Sequence, residues 1–188
     1  MKNKCRLIVY GACLALLLTT TQMAAQENKG LPYRQISYDS LLYKARTIID
    51  SSQCRVLITV DEKGQPHARE MSPFPPESDW IIWLGTTRGS RKTNQILNNP
   101  NVVVYYYDTK GMSYVSVSGK ARLIDDADKK EKYWKEGWKI FYPDRDKNYI
   151  LIEVIPEKLE VCSFRYKLFW DPITAIPHSV NFITKKVE

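Results

Sequence analysis

Apolar and polar residues alternate along this chain in two periods, and the switches between them mark out its elements. Leu41, Leu42, Ala45, Ile48 and Ile49 recur at helical spacing, which predicts an amphipathic helix over residues 38–51. Arg55-Val56-Leu57-Ile58-Thr59-Val60 reads as a buried strand, Asp61 to Pro66 as a hairpin turn with Gly64 where such a turn wants it, and His67 to Phe74 as the returning strand. Beyond the polar loop Pro75 to Asp79, the run Trp80-Ile81-Ile82-Trp83-Leu84 predicts another buried strand. Gly85 and Gly89 then punctuate a turn, and Ser90 is placed to cap a short helix that reaches Leu97. Asn98-Asn99-Pro100-Asn101 breaks that helix, and Val102 to Tyr107 follows as a β-branched and aromatic strand. Asp108 to Gly111 turns the chain again.

From Tyr114 to Leu123 the alternation is strict over part of the length, with Val115, Val117 and Gly119 on one face and Tyr114, Ser116 and Ser118 on the other. One face is core; the other meets solvent, a ligand or a partner. Asp125, Asp126 and Asp128 put acids at the start of a third helix, as the helix dipole favours. Trp134, Trp138 and Phe141 share a face of it, a stripe that seals a core or a subunit interface. Tyr149 to Pro156 and Lys158 to Cys162 supply the last strand or a bent pair. Six strands with turns between them and three connecting helices predict a mainly β, α+β fold, a small antiparallel barrel rather than alternating βαβ units.

The N-terminus changes the picture of where this domain works. Lys2, Lys4 and Arg6 precede an apolar run from Leu7 to Leu18, and small residues follow up to Ala24-Ala25. That is the pattern of a secretory signal peptide over residues 1–25, too short and wrongly flanked for a lasting membrane span. Cys13 after Gly11-Ala12 offers a lipoprotein site as the lesser alternative, since most of the apolar run lies beyond it. Removing the leader leaves about 160 residues, one domain's worth: a polar lead over 26–36, the barrel over 37–164 and a C-terminal tail over 165–188. It also lowers the formal charge of +7 by three. With no block of five or more basic residues, the remaining charge is no nucleic-acid signature.

Chemistry concentrates at Ser90-Arg91-Lys92. The free amides at a helix start and the positive end of its dipole attract anions. Two cations in that first turn therefore oppose the dipole unless something negative sits against them. Two readings are open: Arg88, Arg91 and Lys92 form an ordinary solvated basic face, or they hold an anion. A phosphate-binding P-loop is excluded, because Gly89 is followed by Ser90 rather than lysine. His67 and His178 lie far apart, and Cys54 and Cys162, the two cysteines beyond the leader, lack metal spacing. These cysteines read as buried strand thiols in preference to a disulfide, and His67 as an exposed strand residue. No nucleophile-elbow motif is present.

The order of pieces resembles a known family. The segments His67-Ala68-Arg69-Glu70-Met71, Thr86-Thr87-Arg88-Gly89-Ser90-Arg91-Lys92, Asn98-Asn99-Pro100-Asn101-Val102, Val117-Ser118-Gly119-Lys120-Ala121 and Glu153-Val154-Ile155-Pro156 are similar to those of the FMN-binding split-barrel family of pyridoxamine phosphate oxidases, and more closely its general-stress-protein branch. The resemblance spans residues 38–164. It implies a six-stranded antiparallel split β-barrel that dimerises with a copy of itself and holds FMN at the subunit boundary. Carried over by position, Ser90, Arg91 and Lys92 grip the FMN phosphate with Arg69 alongside. Thr86 and the backbone of Glu70, Met71 and Ser72 line the isoalloxazine ring, and Tyr114 and Ser116 approach from the other subunit. Trp170 either closes over the flavin or simply covers the barrel.

There are departures. The vitamin-forming oxidases hold substrate with an arginine and a histidine near the C-terminus, and Arg165 to Asp171 does not reproduce that spacing. Export also argues against cytoplasmic cofactor synthesis. The expectation is an exported FMN-dependent oxidoreductase acting on an unnamed small molecule or electron donor. The alternatives are a barrel that binds FMN or haem without turnover, and a structural dimer with an empty site.

Overall fold

The computed structural model describes residues 35–188; the proposed leader and nearly all of the polar lead lie outside them. Helix α1 (Tyr38–Ser51) starts at Ser37, whose hydroxyl accepts from the Ser40 amide, with Asp39 in the first turn where the dipole favours an acid. It buries Leu41, Ala45, Ile48 and Ile49, which are residues of the predicted helical stripe. The strands are β1 (Cys54–Val60), β2 (Pro66–Glu70), β3 (Ile82–Thr87), β4 (Asn101–Asp108), β5 (Ser113–Ile124), β6 (Tyr149–Ser163), β7 (His178–Asn181) and β8 (Lys186–Val187). The remaining helices are α2 (Arg91–Asn98), α3 (Ala127–Lys132) and α4 (Arg145–Asn148), with a 3₁₀ turn over Glu136–Ile140.

All pairings are antiparallel, in the order β2-β1-β4-β5-β6-β7-β8, with β3 also on β6. The long β6 serves two partners along one edge. Residues 149–154 pair with β3, and residues 158–161 pair with β7. Between these halves the register with β5 shifts at Ser118/Gly119, opposite Pro156. Pro156 has no N–H to give the ladder. A Cβ on Gly119 would lie 2.1 Å from the Ile155 carbonyl oxygen, so the backbones close up only because position 119 has no side chain. What the sequence presents as a last strand or a bent pair is one strand with a bend.

The alternation in β5 holds: Val115, Val117 and Gly119 are buried, while Tyr114, Ser116 and Ser118 are half-buried on the outer face. The inner faces of β1, β4, β5 and β6 wrap α1 into one core containing Leu57, Val104, Tyr106, Val117 and Leu159. A second cluster gathers Trp83, Tyr133, Tyr149 and Leu151 with Phe74, Trp134, Trp138 and Tyr142 around it.

Several boundaries differ from expectation for identifiable reasons. The strand expected to run to Phe74 ends at Glu70; the Met71 amide still donates to the Arg55 carbonyl at 2.9 Å, but the proline-rich stretch that follows cannot keep a ladder. Trp80 turns with φ +70°, so β3 starts at Ile82. Gly85 is not in a turn. It lies inside β3 beneath the Trp138 ring, which a Cβ would meet at 2.4 Å, and Gly89 alone makes the turn, at φ +70°. The expected stripe of Trp134, Trp138 and Phe141 is corrected too, because α3 ends at Lys132 and a 3₁₀ turn follows. Trp134 and Trp138 meet edge to face at 6.3 Å, but Phe141 points outward and Tyr142 takes its place. Two more strands appear than the six expected. β7 and β8 come from the segment read as a tail, in runs too short to show a period.

Glu77 ties the loop before β3 to the aromatic cluster. Its carboxylate accepts from Lys132 at 2.6 Å, the Tyr133 hydroxyl at 2.5 Å and the Trp83 indole at 3.2 Å. Those donors, Lys132 foremost, hold its pKa down at about 2. A depressed carboxyl pKa contributes stability that is present above the ordinary value of 4.5 and is lost as pH falls toward 2. Glu77→Gln should therefore lower stability at pH 7 and flatten the loss of stability across that acid window, measured by urea unfolding at a series of pH values. An unchanged acid limb would show that Glu77 carries none of it.

Candidate functional site

The β1–β2 hairpin places Arg69 opposite Leu57, on the inward side of the sheet. From there the guanidinium donates to the Leu57 carbonyl at 3.1 Å, to the Thr59 hydroxyl at 2.7 Å and to Gln95 Oε1 at 3.3 Å. Thr59 in turn donates to Gln95 Oε1 at 2.6 Å. Thr59 and Gln95 are both buried, and a buried polar pair must be hydrogen-bonded to be tolerated. Together they fix the Arg69 head beneath α2.

The start of α2 is built by Gly89 and Ser90. After the left-handed turn at Gly89, Ser90 is extended (φ −67°, ψ 159°), yet its side chain does not cap the helix. The hydroxyl lies 3.4 Å from Thr86 Oγ1 and 3.4 Å from Lys92 Nζ instead. Thr86, Ser90 and Lys92 thus form a continuous polar edge, and the orphan amides of the first turn keep their need for an acceptor.

Its electrostatics are one-sided. Among the described residues, no ion pair involves Arg69, Arg91 or Lys92. Burial, followed by Arg69 and Arg91, pushes the Lys92 pKa down; burial and then Arg91 does the same to Arg69. The first turn of α2 contains no acid. Arg88 is different, since it pairs with Asp125 and donates to the Lys147 carbonyl at 3.0 Å. The solvated-face reading therefore fits Arg88, and Arg91 is exposed as well, while Arg69 and Lys92 are half-buried with no ion-pair partner. Arg91 also lines a hollow of about 230 Å³ with Asp61, Glu62, His67 and Gln95. His67 is half-buried and bonded to Asp61 at 2.8 Å, a correction to its reading as an exposed strand residue.

The chain thus assembles Arg69, Thr86, Ser90, Arg91 and Lys92. Glu70 follows Arg69 on β2 and is exposed, Met71 packs against the main core, and Ser72 accepts from Lys135 Nζ at its hydroxyl (2.8 Å) and carbonyl (3.1 Å). Tyr114 and Ser116 lie elsewhere, on the outer face of β5. That strand is three inter-strand steps from β2, about 14 Å along the sheet, and the Tyr114 ring stacks on Tyr105 at 5.4 Å. Trp170, 39% exposed, follows the bridge of Leu168 to Ser163 at the end of β6. Thr59 and Gln95 are the participants that reading the sequence missed. Their signals are faint: one hydroxyl inside an apolar strand, and one amide four residues after Arg91 on the same helix face. Cys54 and Cys162 are free and share a cross-strand row three strands apart. Among the described residues no group of histidine, cysteine and acidic side chains is placed to hold a metal.

A coiled antiparallel sheet whose first hairpin presents an arginine to a cationic, uncapped helix start is the architecture of a split barrel. The family model described as pyridoxamine 5'-phosphate oxidase like matches residues 42–165, and the chain belongs to that family. General stress protein 26 of Bacillus subtilis (strain 168) is 32% identical over 122 residues, covering 63% of this chain and 85% of that protein. The crystal structure of General Stress Protein 26 from Bacillus anthracis str. Sterne is 33% identical, covers 64% of this chain and 92% of its own, and superposes with a TM-score of 0.56. A pyridoxamine 5'-phosphate oxidase-related, FMN-binding protein from Nostoc punctiforme shares the fold, with a TM-score of 0.58 at 14% identity over 82% of this chain and 96% of its own.

Cations gathered without an ion-pair partner are a cost to the free protein. Lys92→Met keeps the stem and removes the charge, so in phosphate-free buffer it should be as stable as the wild type or gain about 0.5–1 kcal/mol by urea unfolding. Stabilisation by added phosphate should disappear. A loss above about 1 kcal/mol in the free protein would show that Lys92 is structural.

Proposed function

We propose that this chain is an exported, homodimeric FMN-dependent oxidoreductase acting on a small molecule. The observation that carries the reading is the convergence of Arg69, Arg91 and Lys92 on an uncapped helix start with no acid among their ion-pair partners. A phosphate monoester dianion meets each of these demands at once: it neutralises the cations, accepts from the helix amides and matches the planar fork of an arginine. Ser90, Arg91, Lys92 and Arg69 would hold that phosphate, with Thr86 and the Glu70–Ser72 backbone toward the ring. FMN would supply hydride or electron transfer, and the protein would bind it, orient it and exclude competing reactions.

Self-association is supported by the outer sheet face. Val56, Ile58 and Val60 of β1, Val103, Tyr105 and Tyr107 of β4, and Tyr114 of β5 are half-buried neighbours there. Such a row of half-buried apolar side chains is a surface that a second copy would cover. Pairing two copies through it would bring Tyr114 and Ser116 to the partner's flavin, which is how residues distant within one protomer would share a site. Export rests on the leader over residues 1–25. No described helix is long and apolar enough to cross a membrane.

The test is the purified protein itself. The flavin absorbance bands should appear on reconstitution with FMN, and NADH, NADPH or a small reductant should bleach them under anaerobic conditions. Arg91→Ala and Lys92→Ala should each weaken FMN by about ten- to a hundredfold, the worth of one charged hydrogen bond. Unchanged affinity in both variants would overturn the phosphate assignment, and a flavin that no donor reduces would overturn the oxidoreductase.

A further inference from the structure

A second cavity, of about 240 Å³, opens at the other end of β1. Its walls are Ile49 and Asp50 at the end of α1, Arg55, Tyr106 across from it on β4, the Pro73-Phe74-Pro75 stretch, and Lys135. Tyr106 is 1% exposed, and its hydroxyl has no hydrogen-bond partner. A buried hydroxyl left unmatched in a native fold calls for a reason, because desolvating it costs free energy that a hydrogen bond normally returns. Arg55 is similarly under-used. Its Nε donates to Ser52 Oγ at 3.2 Å, while among the described residues its terminal nitrogens have no hydrogen-bond partner and no acid lies within ion-pair reach. Lys135 faces it across the cavity, poised over the Phe74 and Trp138 rings. Burial, then Arg55, pushes the Lys135 pKa down.

We infer that this cavity is the binding site for a small carboxylate with an apolar body, its carboxylate held by Arg55, hydrogen-bonded by the Tyr106 hydroxyl and balanced by the charge of Lys135, whose ammonium is bonded to Ser72 and Pro73. Size, charge and lining each narrow the occupant. The volume is below the roughly 300–1,000 Å³ of sites for drug-sized ligands, so the occupant is small. With Asp50 on the wall, the lining carries a net single positive charge, which a monoanion balances and a phosphate dianion exceeds. Ile49, Pro73, Phe74, Pro75 and the Tyr106 ring offer apolar surface to the rest of the molecule.

The cavity is also joined to the segment proposed to line the flavin. The Arg55 carbonyl accepts from the Met71 amide, Lys135 donates to Ser72, and Pro73 forms the wall itself. Its occupant is thereby the substrate of the proposed oxidoreductase, a step that rests on the flavin reading; the carboxylate site does not.

The test is calorimetry of the full chain in saturating FMN, which fills the proposed phosphate site, with benzoate and hexanoate, using benzyl alcohol as the neutral counterpart and phenyl phosphate as the dianionic one. Benzoate or hexanoate should bind, with benzyl alcohol at least about tenfold weaker and phenyl phosphate no tighter than benzoate. Tyr106→Phe removes only an unsatisfied hydroxyl, so it should melt no lower than the wild type while weakening benzoate by about tenfold. Arg55→Gln should weaken benzoate at least as much, and FMN affinity should be unchanged in both variants. No heat from either acid, equal binding of benzyl alcohol, tighter binding of phenyl phosphate, or wild-type benzoate affinity in both variants would each overturn the assignment. A shift of the bound flavin's absorbance on adding benzoate would support the link between the sites. Benzoate binding to a protein that takes up no FMN would leave the cavity standing and remove the flavin reading alone.

Discussion

The structure turns on three positive charges held together without an ion-pair partner among the described residues. Arg69, Arg91 and Lys92 repel each other, and the last two oppose the dipole of the helix they begin, at about 0.3–1 kcal/mol each. The arrangement persists because other contacts over-determine it. Arg69 is anchored from below by the buried Thr59–Gln95 pair and the Leu57 carbonyl, Gly89 delivers the chain into the helix from a left-handed turn, and Ser90 leaves the first amides uncapped. Keeping such a corner in the free protein is the local cost that the proposed phosphate site would explain.

The sheet makes this corner possible. Because β6 bends at Pro156 against Gly119, one strand supports β3 along its first half and β7 along its second. β3 leads through Thr86 into α2, and α2 then lies over β1 so that Gln95 meets Thr59 and Arg69. The aromatic cluster of Trp83, Tyr133, Trp138 and Tyr149, fastened by Glu77, fixes the other side of β3. Gly85 is required there because the Trp138 ring lies against its backbone. The same packing carries Lys135 over Phe74 to Ser72, so the cation edge and the Arg55 cavity are two ends of one wall.

Much of this was legible in the residues. The period of α1, the alternation in β5 and the odd cations after Ser90 each have a direct physical reading. The resemblance carried by the order of segments together with the Ser90-Arg91-Lys92 turn supplied the family. What escaped is what local pattern does not encode. Gly85 looks like a turn residue until Trp138 is known to cover it. Phe141 fits a helical stripe only if the helix continues, and the chain passes instead into a 3₁₀ turn. β7 and β8 are too short to show a period. Thr59 and Gln95 matter only because distant segments meet, and the Tyr106 hydroxyl looks like ordinary β-strand chemistry until its surroundings show nothing to bond it.

The most direct measurement of the central claim compares FMN with riboflavin, which carries the same ring and no phosphate, by calorimetry on the full chain at low and high salt. The account predicts that FMN binds at least about a hundredfold more tightly, as expected for two or more charge-assisted contacts, and that raising the salt narrows the gap. Equal affinities, insensitive to salt, would contradict it.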